Sequence, residues 1–346
     1  MNKTQDHVPA MSVIIPTLGR PILAETIKSL AGTNTAGQLE VLVAGHIRNN
    51  EILEKIRALS SAFLNFRHLD ISFESGDSSN KKNAGLKASF TEVVVFIDDD
   101  VKVLPDWPEQ ILKPFEDPFT GMVSGPSLIP DNLPLTARLS GKALASGAAG
   151  YVANRYSKGK KGTHEINWSG IIGCNMAFRK KILETIGGFD VTFWPGEEMV
   201  ASFKTCKAGH KIIFQPDAAL YHYPRASLYG FIKQVFGYGA TRIRLMRAGL
   251  DFEVTTIVPA LMIAASITLT ASAFFCLFSL KLLAILTTLY LASDIFFTLR
   301  VYFESREKTD LLLFFLIPAM HISYGIGEWS ELFMGNRDLS VKGGSN

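Results

Sequence analysis

The sequence predicts an α/β protein with a mixed, mostly parallel sheet flanked by helices, followed by C-terminal transmembrane helices. Three observations carry this. Up to about residue 250, short apolar runs alternate with amphipathic ones, the pattern of strands alternating with helices. Those apolar runs are unbroken, as strands covered on both faces should be. From Val254 to Leu280 no residue is charged, and two further apolar stretches follow, whereas a spanning helix needs about 20 apolar residues.

In order, "MSVIIPTLGRP" reads as a strand ending at Pro16 and Thr17, because proline cannot continue a central ladder. "PILAETIKSLAG" is a helix stopped by Gly32, "LEVLVAG" a second strand, "NEILEKIRALSSAF" a second helix and "NFRHLDISF" a third strand. "ESGDSSNKKN" reads as a polar loop and "AGLKASF" as a short helix before the strand "EVVVFI". The C-terminal ends of parallel strands are where such sheets bind ligands. That places Asp98, Asp99 and Asp100, in "VVVFIDDDV", at the ligand edge.

The net charge of +3 is too small to argue for a nucleic-acid partner, and none is expected. Three scattered cysteines, Cys174, Cys206 and Cys276, form no disulfide or zinc pattern. From Ala218 to Leu250 there is no acid, while Arg225, Lys233, Arg242, Arg244 and Arg247 all occur. Basic residues beside a first span favour the cytoplasmic side and attract anionic headgroups. No apolar signal stretch is seen at the N-terminus, and three spans would leave the tail on the far side.

Three adjacent aspartates can simply open a solvated turn. Strand alternation would instead point Asp98 and Asp100 the same way and Asp99 elsewhere. Two hard oxygen ligands suit Mn²⁺ or Mg²⁺, which takes further ligands from water and substrate phosphates. A nucleotide or diphosphate substrate follows. Later, Glu197 and Glu198 follow Gly196 at a probable helix start, where acids also answer the helix dipole. His222 in "YHYP" reads, on its own, as structural.

Taken together, "SVIIPTLGRP", "KKNAGLKAS", "VVVFIDDDV", "GCNMAFRKKILETIGGFD", "GEEMVASFKTCKAGHKI" and "LYHYPR" make residues 11–250 resemble a family 2 glycosyltransferase of the GT-A fold. The resemblance implies that Asp98 and Asp100 form the Asp-x-Asp motif, with His222 completing the metal site. Pro16, Thr17, Arg20, Lys82, Asn83 and Asp99 then fall on the donor side. Glu198 aligns with the family's base, usually an Asp, and Glu197 is the other candidate. Trp168, Asn175, Arg179 and Trp194 lie on the acceptor side, although Trp is as often core. The acid that usually ends the second strand is missing at Ala44 and Gly45. A UDP-sugar is the default donor, with guanosine and thymidine donors open. The stretch from Gln234 lacks the Gln-x-x-Arg-Trp motif of processive members.

The expected organisation is a cytoplasmic GT-A glycosyltransferase domain over 1–225 and a basic aromatic interfacial segment over 226–253. Three transmembrane helices follow within 254–330 (about 254–279, 282–300 and 311–329), then a polar tail over 331–346. The expected protein is a multi-pass inner-membrane enzyme with its catalytic domain cytoplasmic. Its reaction is metal-dependent, inverting transfer of one sugar from a nucleotide sugar to a lipid-linked or cell-surface glycan acceptor. The alternatives are a polyprenyl-phosphate glycosyltransferase and a catalytically weak nucleotide-sugar-binding partner in a membrane complex.

Overall fold

The computed structural model of the chain describes residues 10–73, 75–130, 132–158, 162–250 and 254–335. Most of the expected polar tail lies outside the described residues. The chain divides into two compact units, one of residues up to Pro130 with Asn154–Tyr223, the other of Asp131–Ala153 with the chain from Pro224 on.

The first unit runs β1 (Met11–Pro16), α1 (Leu23–Ala31), β2 (Leu39–Ala44), α2 (Asn50–Ala58), β3 (Asn65–Leu69), α3 (Asp77–Ala88), β4 (Val93–Ile97), β5 (Val101–Val103), α4 (Trp107–Leu112), β6 (Thr120–Ser124) and β7 (Ser127–Leu128). Helix α5 (Leu135–Ala145) belongs to the second unit. The first unit resumes with β8 (His164–Glu165), β9 (Asn175–Arg179), α6 (Lys180–Thr185), α7 (Glu197–Lys207), β10 (Lys211–Phe214) and β11 (Leu220–His222).

Its sheet has the order β3-β2-β1-β4-β9-β6-β10-β8. Strands β1 to β4 are mutually parallel, and β9 enters antiparallel to both β4 and β6. All five side chains of β4 are buried, the doubly covered strand that its unbroken apolar sequence implies. Val13, Ile15, Val41, Val43, Val95 and Ile97 share one core cluster with α1. Elsewhere in the core, Phe96 and Phe178 pack edge-on against Phe189, with ring centroids 4.8 and 5.9 Å from it. Such aromatic pairs add about 1 kcal/mol each beyond burial.

A second sheet, β5-β11-β7, lies beyond the end of β4. It matters because β11 runs antiparallel to β5 and sets His222 opposite Val101.

Helix α3 differs from the sequence reading. The expected polar loop is its first half, and Ser79, Lys81 and Lys82 face inward. An apolar-periodicity reading misses a helix whose buried face is polar. Gly85 lets α3 approach β1 closely: a Cβ there would run into the Ile14 side chain.

The second unit contains α5, α8 (Leu228–Arg247), α9 (Val258–Ala273), α10 (Leu277–Ser305) and α11 (Leu313–Met334). Three segments, Thr255–Ala273, Leu277–Ser305 and Lys308–Met334, are long and apolar enough to cross a membrane. Residues 131–153 fall in this unit although they lie within the first 225 residues.

Candidate active site

The parallel register brings the end of β1 and the end of β4 to one edge of the sheet. β4 stops at Ile97, and Asp99 and Asp100 form a turn before β5. The different orientations of the aspartates therefore come from this turn and not from strand alternation. Asp98 and Asp100 converge on His222: Nε2 lies 3.1 Å from Asp100 Oδ1 and 3.8 Å from Asp98 Oδ2. One ligand atom from each of the three residues lies within 4.8 Å of the others. Two carboxylates and an imidazole fit Mn²⁺ or Mg²⁺, and the 43% accessibility of the Asp98 side chain leaves room for water and phosphate oxygens.

Electrostatics cut both ways: burial raises Asp98, a rise that His222 and Lys82 oppose. Burial opposes ionisation of Asp100, yet its contacts with His222 and Arg20 hold its pKa down at about 2. Burial likewise opposes charge on His222, but Cys174 and Asp100 together raise it well above the ordinary histidine value. A proton on His222 and a metal ion on the same nitrogen exclude each other, so metal binding is coupled to proton release.

Asp99 points away from this cluster and is 3% exposed. It accepts a 2.6 Å hydrogen bond from Thr17 Oγ1 and a short one from the Arg20 guanidinium. Arg20 also donates to Asp100 Oδ2 at 2.9 Å. Lys81 Nζ donates to the Thr17 carbonyl at 2.8 Å. Thr17 and Arg20 are thus fixed at the sheet edge from beneath, while Pro16 closes the strand before them.

The second carboxylate centre opens α7. Gly196, at φ 110°, turns the chain in a left-handed conformation directly before it. Glu197 is buried, and its Oε1 accepts from Lys82 Nζ at 2.8 Å and from Ser78 Oγ at 2.9 Å. Burial would raise Glu197, but the Lys82 ion pair lowers it. Among the described residues, none places a cation at contact distance from Glu198 as Lys82 stands to Glu197. Burial, and then the Glu197 carboxylate beside it, raise Glu198 to about 7. The two adjacent glutamates are therefore split, one held ionised and the other poised near neutrality. Lys82 feels Glu197, Glu198 and Asp98 together, and Gly173 faces Glu198 while the next residue, Cys174, touches His222. Both carboxylate centres belong to one site.

The other expected residues fall at varying distances from this site. Lys82, expected beside the donor, is 5% exposed and engaged with Glu197. Asn83 clamps Phe189, accepting from its N–H at 2.9 Å and donating to its carbonyl at 2.8 Å. Asn175 is fully buried and bonds Trp107 Nε1 and the carbonyls of Pro126 and Ala218. Arg179 pairs with Val93, at the opposite end of β4 from Asp98, and donates to the carbonyls of Phe115, Asp117 and Thr120. Its sequence neighbourhood suggested the acceptor side, but an antiparallel strand carries it away from the ligand edge at about 3.4 Å per residue. Trp168 is 3% exposed and packs edge-on with Phe203 of α7, a core role. Trp194, half-buried, stays at the loop leading into Glu197.

Across the sheet register, a residue that sequence reading passed over appears. β2 lacks a terminal acid, but Ala44 pairs with Leu69, and Asp70 follows. Its carboxylate lies 2.7 Å from His46 Nδ1. An acid is therefore present at this corner, supplied by the neighbouring strand.

The chain is similar to several known proteins. A likeness to O-antigen biosynthesis protein RfbC of Myxococcus xanthus runs at 24% identity over 230 residues, 63% of this chain and 18% of that one. The dolichyl N-acetyl-alpha-D-glucosaminyl phosphate 3-beta-D-2,3-diacetamido-2,3-dideoxy-beta-D-glucuronosyltransferase of Methanococcus voltae is 26% identical over 157 residues, 45% of each chain. The chain thus spans less than half the length of these relatives. Among solved structures, a mannosyltransferase from Pyrobaculum calidifontis in complex with GDP-Man and Mn²⁺ superposes at TM-score 0.62 with 18% identity. That match covers 94% of this chain and 88% of the other and establishes the GT-A fold. Since the profile of Glycosyl transferase family 2 matches residues 12–187, just over half of the sequence, the chain belongs to the family 2 glycosyltransferases, enzymes that draw the sugar from a nucleotide-sugar donor.

Proposed function

We propose that this enzyme is a metal-dependent, inverting glycosyltransferase that adds one sugar per encounter to a hydroxyl of a lipid-linked or cell-surface glycan. The observation that carries it is the pairing of a divalent-cation cluster, Asp98, Asp100 and His222, with a carboxylate, Glu198, poised near pH 7.

Asp98, Asp100 and His222 would hold Mn²⁺ or Mg²⁺, which when bound offsets charge on the departing nucleoside diphosphate. Thr17 and Arg20, braced by Asp99, bind and orient the donor. Glu198 takes the proton of the acceptor hydroxyl onto a carboxylate oxygen as that hydroxyl attacks the anomeric carbon opposite the leaving group. Glu197 stays ionised through Lys82 and favours positive charge growing on the sugar ring. A base tuned to neutrality supports a sugar hydroxyl as acceptor over a polyprenyl phosphate, whose oxygen is already ionised. It also argues against a catalytically weak binding partner, which has no use for such tuning.

The absence of a Gln-x-x-Arg-Trp sequence after Gln234 supports single addition. The apolar helices and the acid-free basic stretch before them support a multi-pass membrane enzyme with its catalytic domain cytoplasmic. The relatives' names, lipid-linked and O-antigen glycans among them, support the acceptor class.

The test is nucleotide release by the purified full-length protein from a panel of nucleotide sugars with Mn²⁺ and a lipid-linked glycan extract. NMR of the product gives the anomeric configuration. Failure of every donor, or retention of configuration, overturns the reading.

A further inference from the structure

Three segments of the second unit qualify by length and composition as membrane spans, but they are not alike in their surroundings. Within the most apolar 18-residue stretch of each, 6% of the Thr255–Ala273 segment, 11% of Leu277–Ser305 and 44% of Lys308–Met334 is buried. The two exposed helices, α9 and α10, form a hairpin whose tip is apolar: Phe274, Phe275 and Phe278 are 82%, 94% and 71% exposed.

At 1.5 Å per residue, the 19-residue segment is about 28 Å long and matches a hydrocarbon core of about 30 Å. The 29 residues of α10 extend about 43 Å, so its last third emerges from that core. Of the buried polar residues of α10, Thr298 lies in this last third, and Asp294 lies about 26 Å from the start of the helix, just inside the core.

Helix α11 crosses the hairpin at one depth instead of running to its tip. Trp329 Nε1 donates to the Ala260 carbonyl at 3.0 Å, and His321 Nδ1 lies 2.9 Å from Tyr290 Oη. Ala260 and Tyr290 are each about 20 Å from the tip along their own helices. Glu328 accepts from the Ala260 N–H at 3.2 Å, capping the start of α9. Ahead of α11, Asp310, fully buried, pairs with Lys142 of α5 at 2.6 Å and accepts from Ser305 at the end of α10.

The other neighbour of α11 is α8, which carries Lys233, Arg242, Arg244 and Arg247. Side chains at Gly239 and Gly327 would collide with the facing backbone, so the helices touch main chain to main chain. Ser323 Oγ donates to the Ile232 carbonyl at 2.7 Å, and Arg247 to the Leu332 carbonyl at 2.8 Å. A helix with four cations is excluded from hydrocarbon by several kcal/mol per charge, and α11 lies along it. Until its last turn, where Leu332 and Met334 are also exposed, α11 leaves uncovered one apolar stripe, Phe315, Ile322, Ile326 and Phe333, each 48% exposed or more. This stripe is the face α11 has for lipid, opposite its buried acids Glu328 and Glu331.

We infer that only the α9–α10 hairpin crosses the bilayer, and that α11 lies in its near leaflet with α5, α8 and the end of α10, presenting the Phe315–Phe333 stripe to lipid. The hairpin tip and the C-terminus then face opposite sides of the membrane. Three crossings would put them on the same side. The inference rests on the membrane anchoring proposed above, but sidedness and transfer are separate readouts: active enzyme with tip and tail on one side would overturn this inference alone.

The test uses the full chain with a hydrophilic epitope inserted between Phe275 and Cys276 and a second epitope at the C-terminus, in sealed vesicles of both orientations. Nucleotide release or donor-induced thermal stabilisation checks that the variant is folded. Protease should remove the C-terminal epitope only from inside-out vesicles and the tip epitope only from right-side-out ones. Removal of both from the same face overturns the inference, whether α11 crosses or the hairpin fails to. A second variant, Phe315→Lys with Ile326→Lys, should stay resistant to salt extraction, held by the α9–α10 hairpin, without changing which face exposes the tail. A reversed tail would also refute the interfacial placement.

Discussion

His222 Nε2 stands 3.1 Å from Asp100 Oδ1 because β11 pairs antiparallel with β5 and sets His222 opposite Val101. The contact joins residues far apart in sequence through three rungs of a small sheet. If His222 is a metal ligand, His222→Ala should weaken Mn²⁺ binding at least tenfold, measured by EPR titration of free Mn²⁺. Asp100→Ala should remove it. Because metal displaces the His222 proton, Mn²⁺ affinity should rise with pH in the wild type and lose most of that slope in His222→Ala. An unchanged affinity and slope would remove His222 from the metal site.

Glu198, raised to about 7 by burial and by Glu197, acts as base only when ionised. The pH profile of kcat/KM should therefore fall below about pH 7, by about tenfold per unit. Glu198→Gln should lose about 10²–10⁴-fold in kcat, the range for removing a general base. Glu197→Gln removes the like charge that raises Glu198 and frees Lys82, so the acid limb should move to lower pH. If the limb stays and activity vanishes, Glu197 is the base.

Gly173 offers a milder probe of the same group. A Cβ there would lie 3.3 Å from Glu198 Cγ, tighter than ordinary packing. Gly173→Ala should lower kcat about tenfold through displaced proton transfer with donor KM unchanged. A rise in donor KM alone would place Gly173 on the donor side instead.

The strands were legible in the sequence because burial on both faces writes them as uninterrupted apolar runs, and the topology then set Asp98 and Asp100 at the ligand edge. Helix α3 was half hidden because it buries Lys81 and Lys82, residues that composition assigns to solvent. Orientation within a strand was beyond reach. Asn175 and Arg179 sit in a motif near the site, yet one is locked inward and the other lies at the far end of β9. Asp70 was missed for a related reason, since an acid absent along β2 is supplied across the register by β3. Contacts made by pairing register leave no mark at either residue's own position.

That displaced acid leads to a prediction about donor choice. Asp70 is 61% exposed at the side chain, and His46, 2.7 Å away, is 49% exposed. Both are exposed enough to meet a nucleobase at the ends of β2 and β3, where β2 itself ends without an acid. A carboxylate accepts two N–H groups from guanine but one from uracil, and each such bond to a charged group is worth about 1.5–3 kcal/mol. Thermal-shift titration of the wild type with Mn²⁺ and UDP-, GDP- or TDP-sugars ranks the bases. Asp70→Asn should reduce affinity for the preferred donor about tenfold or more while leaving Mn²⁺ binding intact, because Asp70 is remote in sequence and strand from Asp98, Asp100 and His222. The loss should be largest for a guanosine donor and smaller for a uridine one. Equal affinity for all three donors before and after the substitution would mean that this corner does not read the base.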